Sequence, residues 1–519
     1  MIPRSVHVVI ACYLTASAGA AGTPAPGWLQ PEVVPGTIDS RRPAESAVRV
    51  RVVLIPDGRA VALTATDLSI VEMAERPRSG TWSSNRVTVP SGARSRPAIA
   101  TGPGGTLVAA WRTQAGDVRV QDRDPRGRWQ PSQVLASDSA GGIALAVGAA
   151  GDAVVAWTEG GRVRARTRQT GEDAWTGVAD ISDGSAQVTL DPSGANVDPD
   201  GTITVTWVES TGEGSSGVPS AAVRGGRDDT WGSAQVLPGH PSGRAGAPVL
   251  SGDSAGTVTA VWASRQGVTS AVRTAASRSW VADARPAVAT GADSIQLASA
   301  VDVNGRAVLL AAERSGASTR WRVLLRDGAA ENWTALGTAS PTSTDRLGTV
   351  AVAVARSGDA LTAVGRRGAG CTVDVARIAS GSNTVSGNGE VASGCEAVTL
   401  STDALGNALI AGVMNGHGGT QILTALRPAD GLDVKINALR LEPQRIVLRI
   451  TLPARARVTL TLVRDGAGKR RVERDAGPGS TPFAVGTAGL PAGRYTLIAR
   501  AQSGGLTSPP VRTVITLSG

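Results

Sequence analysis

The sequence predicts an all-β protein, an eight-bladed β-propeller followed by a small β-sandwich; a seven-bladed ring is the alternative if one divergent repeat is an insertion. Three observations predict it. A turn glycine followed by an apolar run recurs along the chain. A series of tryptophans follows six of the eight runs at a distance of 24 to 30 residues from the glycine. The period then stops near Gly431, and a stretch of different character completes the 519 residues.

The opening glycine stands at Gly58, Gly105, Gly151, Gly201, Gly256, Gly305, Gly358 and Gly406, at intervals of 46 to 55 residues. Eight copies at a spacing near fifty residues are the mark of a propeller built from four-stranded units. In the second copy strand A is Ala98–Thr101, strand B Thr106–Trp111 and strand C Asp117–Asp122, and strand D follows Trp129. Strand B is apolar on both faces, as an inner strand between neighbouring sheets must be. Strand C alternates, as in Val163-Arg-Ala-Arg-Thr-Arg168, which suits one wet face.

Trp28, Trp82, Trp129, Trp175, Trp231, Trp280 and Trp333 mark the turn into strand D. The first has no A–C strands ahead of it, and the last repeat ends without a strand D. The N-terminal strand is therefore expected to complete the last blade, a Velcro closure that removes an exposed edge. The expected organisation is a secretory signal over 1–22, the propeller over 27–430 and the sandwich over 433–519. The signal rests on Arg4, the apolar run Val8–Ala18 and the small residues near Ala20. Cleavage there implies a secreted or surface-associated protein; lipidation at Cys12, whose context resembles a lipobox, is the alternative. No later segment reaches the length of a transmembrane span. A monomer is expected. Cys371 and Cys395, the cysteines left after export, are expected to form a disulfide.

Residues 433–519 hold 14 Lys and Arg against 5 Asp and Glu, so the net charge of +9 resides there. The densest group, Lys469, Arg470, Arg471 and Arg474, reads as a hairpin tip between Val463 and Phe483, able to meet an anionic envelope polymer. Nucleic acid is excluded as a partner, since export and the lack of interleaved aromatics both argue against it. Leu490-Pro-Ala-Gly-Arg-Tyr495 resembles the tyrosine-corner segment of immunoglobulin-like and fibronectin type III-like sandwiches, which implies a phenol bonded back to the backbone.

Candidate chemistry is sparse. Trp111, Trp157, Trp207 and Trp262 each lie six residues past their glycine, an arc of rings that suits sugar stacking, or simply inter-blade packing. Glu159, Glu209 and Glu313 lie eight past theirs, at the strand end where propellers carry ligand sites. They are the candidate catalytic carboxylates, with solvated strand ends as the plain alternative. Val197-Asp-Pro-Asp-Gly201 and Val301-Asp-Val-Asn-Gly305 read as hairpin turns rather than calcium loops. His7, His240 and His417 give no zinc spacing or catalytic triad, and no phosphate loop is present, so neither a metal nor a cofactor is expected.

The repeat architecture over 27–430 resembles secreted bacterial propellers of the sialidase-like, BNR-like repeat class. That resemblance implies the fold and a sugar-acting relative. It does not carry the activity, because sialidases use a tyrosine nucleophile and the tyrosines here are Tyr13 and Tyr495. The aspartate box of the class is only approximated by Ser251-Gly-Asp-Ser-Ala-Gly256. The expected function is an exported, non-enzymatic binding protein for a carbohydrate or protein ligand at the cell envelope. A glycoside hydrolase using the three glutamates and a purely architectural envelope protein are the alternatives.

Overall fold

The structure, a computed structural model, describes most of the chain between Trp28 and Leu517; the longer stretches outside it are 1–27, 35–48, 86–97, 283–291 and 337–345. The described residues from Trp28 to Arg427 form eight antiparallel sheets. Seven are consecutive in sequence. The second, for example, runs Ala98–Thr101, Leu107–Arg112, Val118–Arg123 and Gln133–Ala136, within one residue of the strand limits expected from pattern alone.

The eighth sheet joins the two ends of this region. Thr399–Thr402, Ala408–Gly416 and Gly419–Arg427 supply three strands, and Glu32–Val33 supplies the outermost, with Glu32 opposite Thr424 and Val33 opposite Leu423. The N-terminal strand therefore closes the last sheet, as expected. The innermost strand of each sheet lies against that of the next, and the first, Arg49–Leu54, lies against Thr399–Thr402 of the eighth.

Each sheet starts from the same local device. All eight marker glycines have positive φ, from 79° at Gly305 to 110° at Gly151. Only glycine takes that conformation without a Cβ clash, and here it turns the chain from strand A into strand B. Of the two acidic turns, the one after Val301 is capped by its first aspartate, Asp302 Oδ1 accepting the Arg306 amide at 2.9 Å; in the one after Val197 the second aspartate does so, Asp200 Oδ1 accepting the Thr202 amide at 3.0 Å, while the Asp198 carboxylate accepts from Asn196 and Arg273.

The fourth sheet departs from the pattern. Its strand A is split into Gln187–Thr189 and Ala195–Val197, both paired with Ile203–Ser210. The turn between them returns its amide bond from Gly194 to Asp191.

Apolar clusters fill the seams between sheets. Val108, Ala110, Val120, Val155 and Trp157 join the second sheet to the third, and Trp28 packs with Leu361, Val375, Ile410 and Ala425 where the seventh meets the eighth. A small alanine-rich strand B lets neighbouring sheets approach closely, and a tryptophan fills the wider outer gap.

The C-terminal residues form two further sheets. One pairs Arg445–Leu452 with Lys435–Glu442 and Gly479–Gly486. The other places Ala456–Arg464 between Ala467–Ala476 and Gly493–Ser503, with Val511–Leu517 beyond. Ile446, Leu448, Leu460, Leu462, Phe483 and Leu497 make their shared core, which also takes in Leu29 beside the closing strand. The Tyr495 hydroxyl donates to the Pro491 carbonyl at 2.8 Å, the backward bond expected of that segment. Ala467–Ala476 and Gly479–Gly486 are strands the pattern analysis did not assign, because their charged and glycine-rich composition reads as loop.

Candidate functional site

The four strand-B tryptophans are completely buried. Trp157, Trp207 and Trp262 each sit in the seam to a neighbouring sheet; Trp207, for instance, packs among Ala144, Val154, Val163 and Ile181 of the sheet before it. A ring with no exposed face cannot stack on a sugar. The expectation of a ligand-stacking arc at Trp111, Trp157, Trp207 and Trp262 is therefore corrected: the repeat position is a packing position, since a large flat ring best fills the gap between diverging sheets.

The glutamates are explained by those tryptophans. Residues two apart on a strand share a face. Glu159 Oε2 accepts the Trp157 indole N–H at 2.9 Å, and Glu209 Oε1 accepts that of Trp207 at 2.6 Å. Glu159 is also paired with Arg164 at 2.5 Å, and Arg164 with Asp180 at 2.9 Å. Both carboxylates thus satisfy buried donors within their own sheets. Glu313 follows Ala311 rather than a tryptophan, is buried, and pairs with Arg322 at 3.0 Å. Burial pushes its carboxyl above the ordinary range, and the neighbouring Arg322 and Arg320 pull it back. Glu159, Glu209 and Glu313 thus each have a scaffold partner within their own sheet.

The basic cluster is also placed differently from expectation. Lys469, Arg470, Arg471 and Arg474 lie within the edge strand Ala467–Ala476, not on a hairpin tip. Alternation divides them. Arg470 and Arg474 share the side of Val472; Arg470 donates to the Ala488 carbonyl at 2.9 Å, and Arg474 lies over the Phe483 ring at 5.9 Å. Arg471 points to the opposite, outer face, and Lys469 is the extra residue at a register shift beside Arg470. The expected disulfide between Cys371 and Cys395 lies outside the described residues, as do the signal segment, Cys12, His240 and His417.

One repeated residue escaped the sequence analysis. Strand C ends in arginine in seven of the eight sheets, at Arg76, Arg123, Arg168, Arg224, Arg273, Arg326 and Arg427, each opposite the first residue of its strand B. In the seventh sheet Ile378 takes that place and Arg377 precedes it. Several reach back to the sheet before. Arg76 forks onto Glu32 at 3.0 and 3.1 Å, Arg123 onto Glu75 at 2.9 and 3.0 Å, and Arg168 onto Asp122 at 2.7 and 2.8 Å. Arg273 pairs with Asp198 at 2.5 Å, both side chains 1% exposed. Trp82 and Trp333 donate across the same seams, to Thr424 and Ser270. A planar guanidinium bonded in two directions suits a tie between sheets. Its recurrence with the repeat was the available signal, hidden because charged strand ends are ordinarily solvated.

No protein-family model matches the sequence, and no curated protein matches it significantly. Among solved structures the chain is similar to the Dos1 propeller, with 10% identity over 77% of this chain and 94% of that one and a TM-score of 0.50. The fold is a β-propeller. More distant likenesses include the polysaccharide lyase Uly1 (11% identity, 68% of this chain and 93% of that one, TM-score 0.43) and the Aleuria aurantia lectin (12%, 57% and 96%, 0.34). Within the propeller, then, tryptophan, glutamate and arginine at fixed repeat positions make the scaffold.

Proposed function

We propose that the chain is an exported, non-enzymatic propeller protein that binds a carbohydrate or protein ligand at the cell envelope. Its ordered units would be a propeller over 27–430 and an immunoglobulin-like sandwich over 433–519, with 1–22 removed on export. The observation that carries the non-enzymatic part is the engagement of the candidate carboxylates, Glu159 and Glu209 by tryptophan N–H groups and Glu313 by Arg322. A general acid or base needs a carboxyl free to meet substrate at hydrogen-bond distance, and these are spent on the scaffold.

Screening the mature chain on glycan arrays and in pull-downs from envelope fractions tests the reading. Saturable binding without product formation is expected. Robust turnover of any glycoside would overturn it; loss of that turnover in Glu159→Gln, Glu209→Gln or Glu313→Gln would assign it to these carboxylates, and its survival to groups elsewhere.

A further inference from the structure

Alternation in the larger C-terminal sheet separates a core face from an outer face. Val458, Leu460, Leu462, Leu497, Ala499 and Ile515 point inward and are buried. The residues between them point outward on four successive strands. Register aligns Arg471 with Thr461, Thr461 with Ile498, and Ile498 with Arg512, one row across the whole sheet. The next row aligns Glu473, Thr459 and Arg500. Five cations stand on this face, namely Arg457, Arg471, Arg494, Arg500 and Arg512, and all are exposed. Glu473 and Asp475 are the only carboxylates on the outward positions of the described strands.

Glu473 pairs with Arg471 and, at 3.4 Å, with Arg457. Among the described residues Arg494, Arg500 and Arg512 have no carboxylate partner, so their forks are open to an external anion. With strands about 4.8 Å apart, the row from Arg471 to Arg512 spans about 14 Å, and Arg494 to Arg500 spans about 20 Å along one strand. The face is thus broader than a single sugar ring. Thr459, Thr461, Thr496 and Thr516 stand between the cations and offer hydroxyls as donors and acceptors.

We propose that this outer sheet face binds an anionic polysaccharide, its carboxylate or sulfate groups on the open guanidiniums and its hydroxyls on the threonines. The charge is complementary, and a flat array favours an extended chain over a compact ligand. The outward residues include no aromatic ring, which single-stranded nucleic acid sites use for stacking. Val463, Ile498 and Val514 are the apolar residues at its outward positions, too few for a lipid-inserting surface. The site goes beyond whatever the propeller binds and stands or falls separately from it.

Matched charge reversals in the full mature chain test it. Arg500→Glu with Arg512→Glu changes this face. Arg440→Glu with Arg449→Glu changes the exposed side of the other C-terminal sheet by the same charge. The probes are alginate, dextran sulfate, neutral dextran, a thymidine oligonucleotide and phosphatidylglycerol vesicles, at low salt. The first pair should weaken alginate or dextran sulfate binding about tenfold, from exposed ion-pair energies summed over two reversals, and the second by less than about threefold. Preference for alginate or for dextran sulfate distinguishes a carboxylated from a sulfated polymer. Equal loss in both pairs would mean that net charge alone attracts the polymer. That result, tighter binding of the oligonucleotide or vesicles, or no binding of either polyanion would each overturn the proposal. If the reversed pair fails to fold, Arg500→Gln with Arg512→Gln removes the same forks and should still weaken binding by about threefold.

Discussion

Replacing Arg273 with methionine isolates the inter-sheet tie. Its guanidinium bonds Asp198 Oδ2 at 2.5 Å and Thr204 at 3.2 Å, and both members of the ion pair are 1% exposed. Methionine keeps most of the apolar stem but strands a buried carboxylate. Breaking a buried pair from one side costs about 3–5 kcal/mol, whereas replacing both partners by apolar residues is often close to neutral. Arg273→Met should therefore lose about 3–5 kcal/mol, and Arg273→Met with Asp198→Leu should recover most of it. The loss should also depend on pH. Burial already raises the Asp198 carboxyl above 3.8, against the pull of Arg273. A group whose pKa is raised by folding stabilises the fold while protonated, and that stabilisation is lost as pH climbs through the folded value. Without Arg273 the rise is larger, so the gap between wild type and Arg273→Met should widen from about pH 4 to about pH 7. Urea unfolding of the propeller transition at both pH values measures it. A single-variant loss below about 1 kcal/mol, the size of an exposed pair, or a double variant no more stable than the single one would refute the inter-sheet role.

Five further outcomes are expected. Glu313→Gln should change stability by no more than about 1 kcal/mol, since losing the Arg322 pair is offset by removing a buried charge; urea unfolding measures it. The same variant should reduce the fall in stability as pH rises above 4.5, because the raised Glu313 carboxyl is lost. Trp157→Ala should cost about 3–5 kcal/mol by thermal unfolding, while any ligand affinity of the folded fraction stays unchanged in calorimetry. Removing the chain through Val34 should lower the melting temperature and promote aggregation seen by light scattering, because it bares the edge of Gly419–Arg427 and removes Trp28 from its seam. Mass spectrometry of unreduced peptides should find Cys371 joined to Cys395, flanking the paired residues Thr372 and Ser393, with a stabilisation of about 3 kcal/mol.

Strand order, sheet closure and the positive-φ turns were legible because they repeat: a glycine and an apolar run eight times over leave few arrangements that bury every strand. The role of Trp111 and its counterparts was not legible, since the same spacing serves a binding arc or a packed seam. Burial alone separates them. Glu159 and Glu209 looked available for chemistry until their alternation with the tryptophans two residues earlier put carboxylate and indole on one face. The strand bearing Lys469–Arg474 read as a tip because no apolar run marks it. It is an edge strand, and Val472 is the apolar residue of its centre that packs inward, with Arg470 and Arg474 on the same side.

By itself the sequence determined the all-β class, the repeat and its glycine turns, the closing strand, and the concentration of positive charge after residue 433. These depend on local rules of turn conformation and alternation that act within one repeat. Only the tertiary structure decided which arginines tie sheets together and which open to solvent, because that depends on what lies across a seam from a strand end. Arg273 meets Asp198 from 75 residues away and is buried, while Arg500 faces outward beside Thr459 with no carboxylate on it among the described residues. The same side chain is scaffold in one place and a candidate contact in the other, and the difference lies in the neighbouring strand.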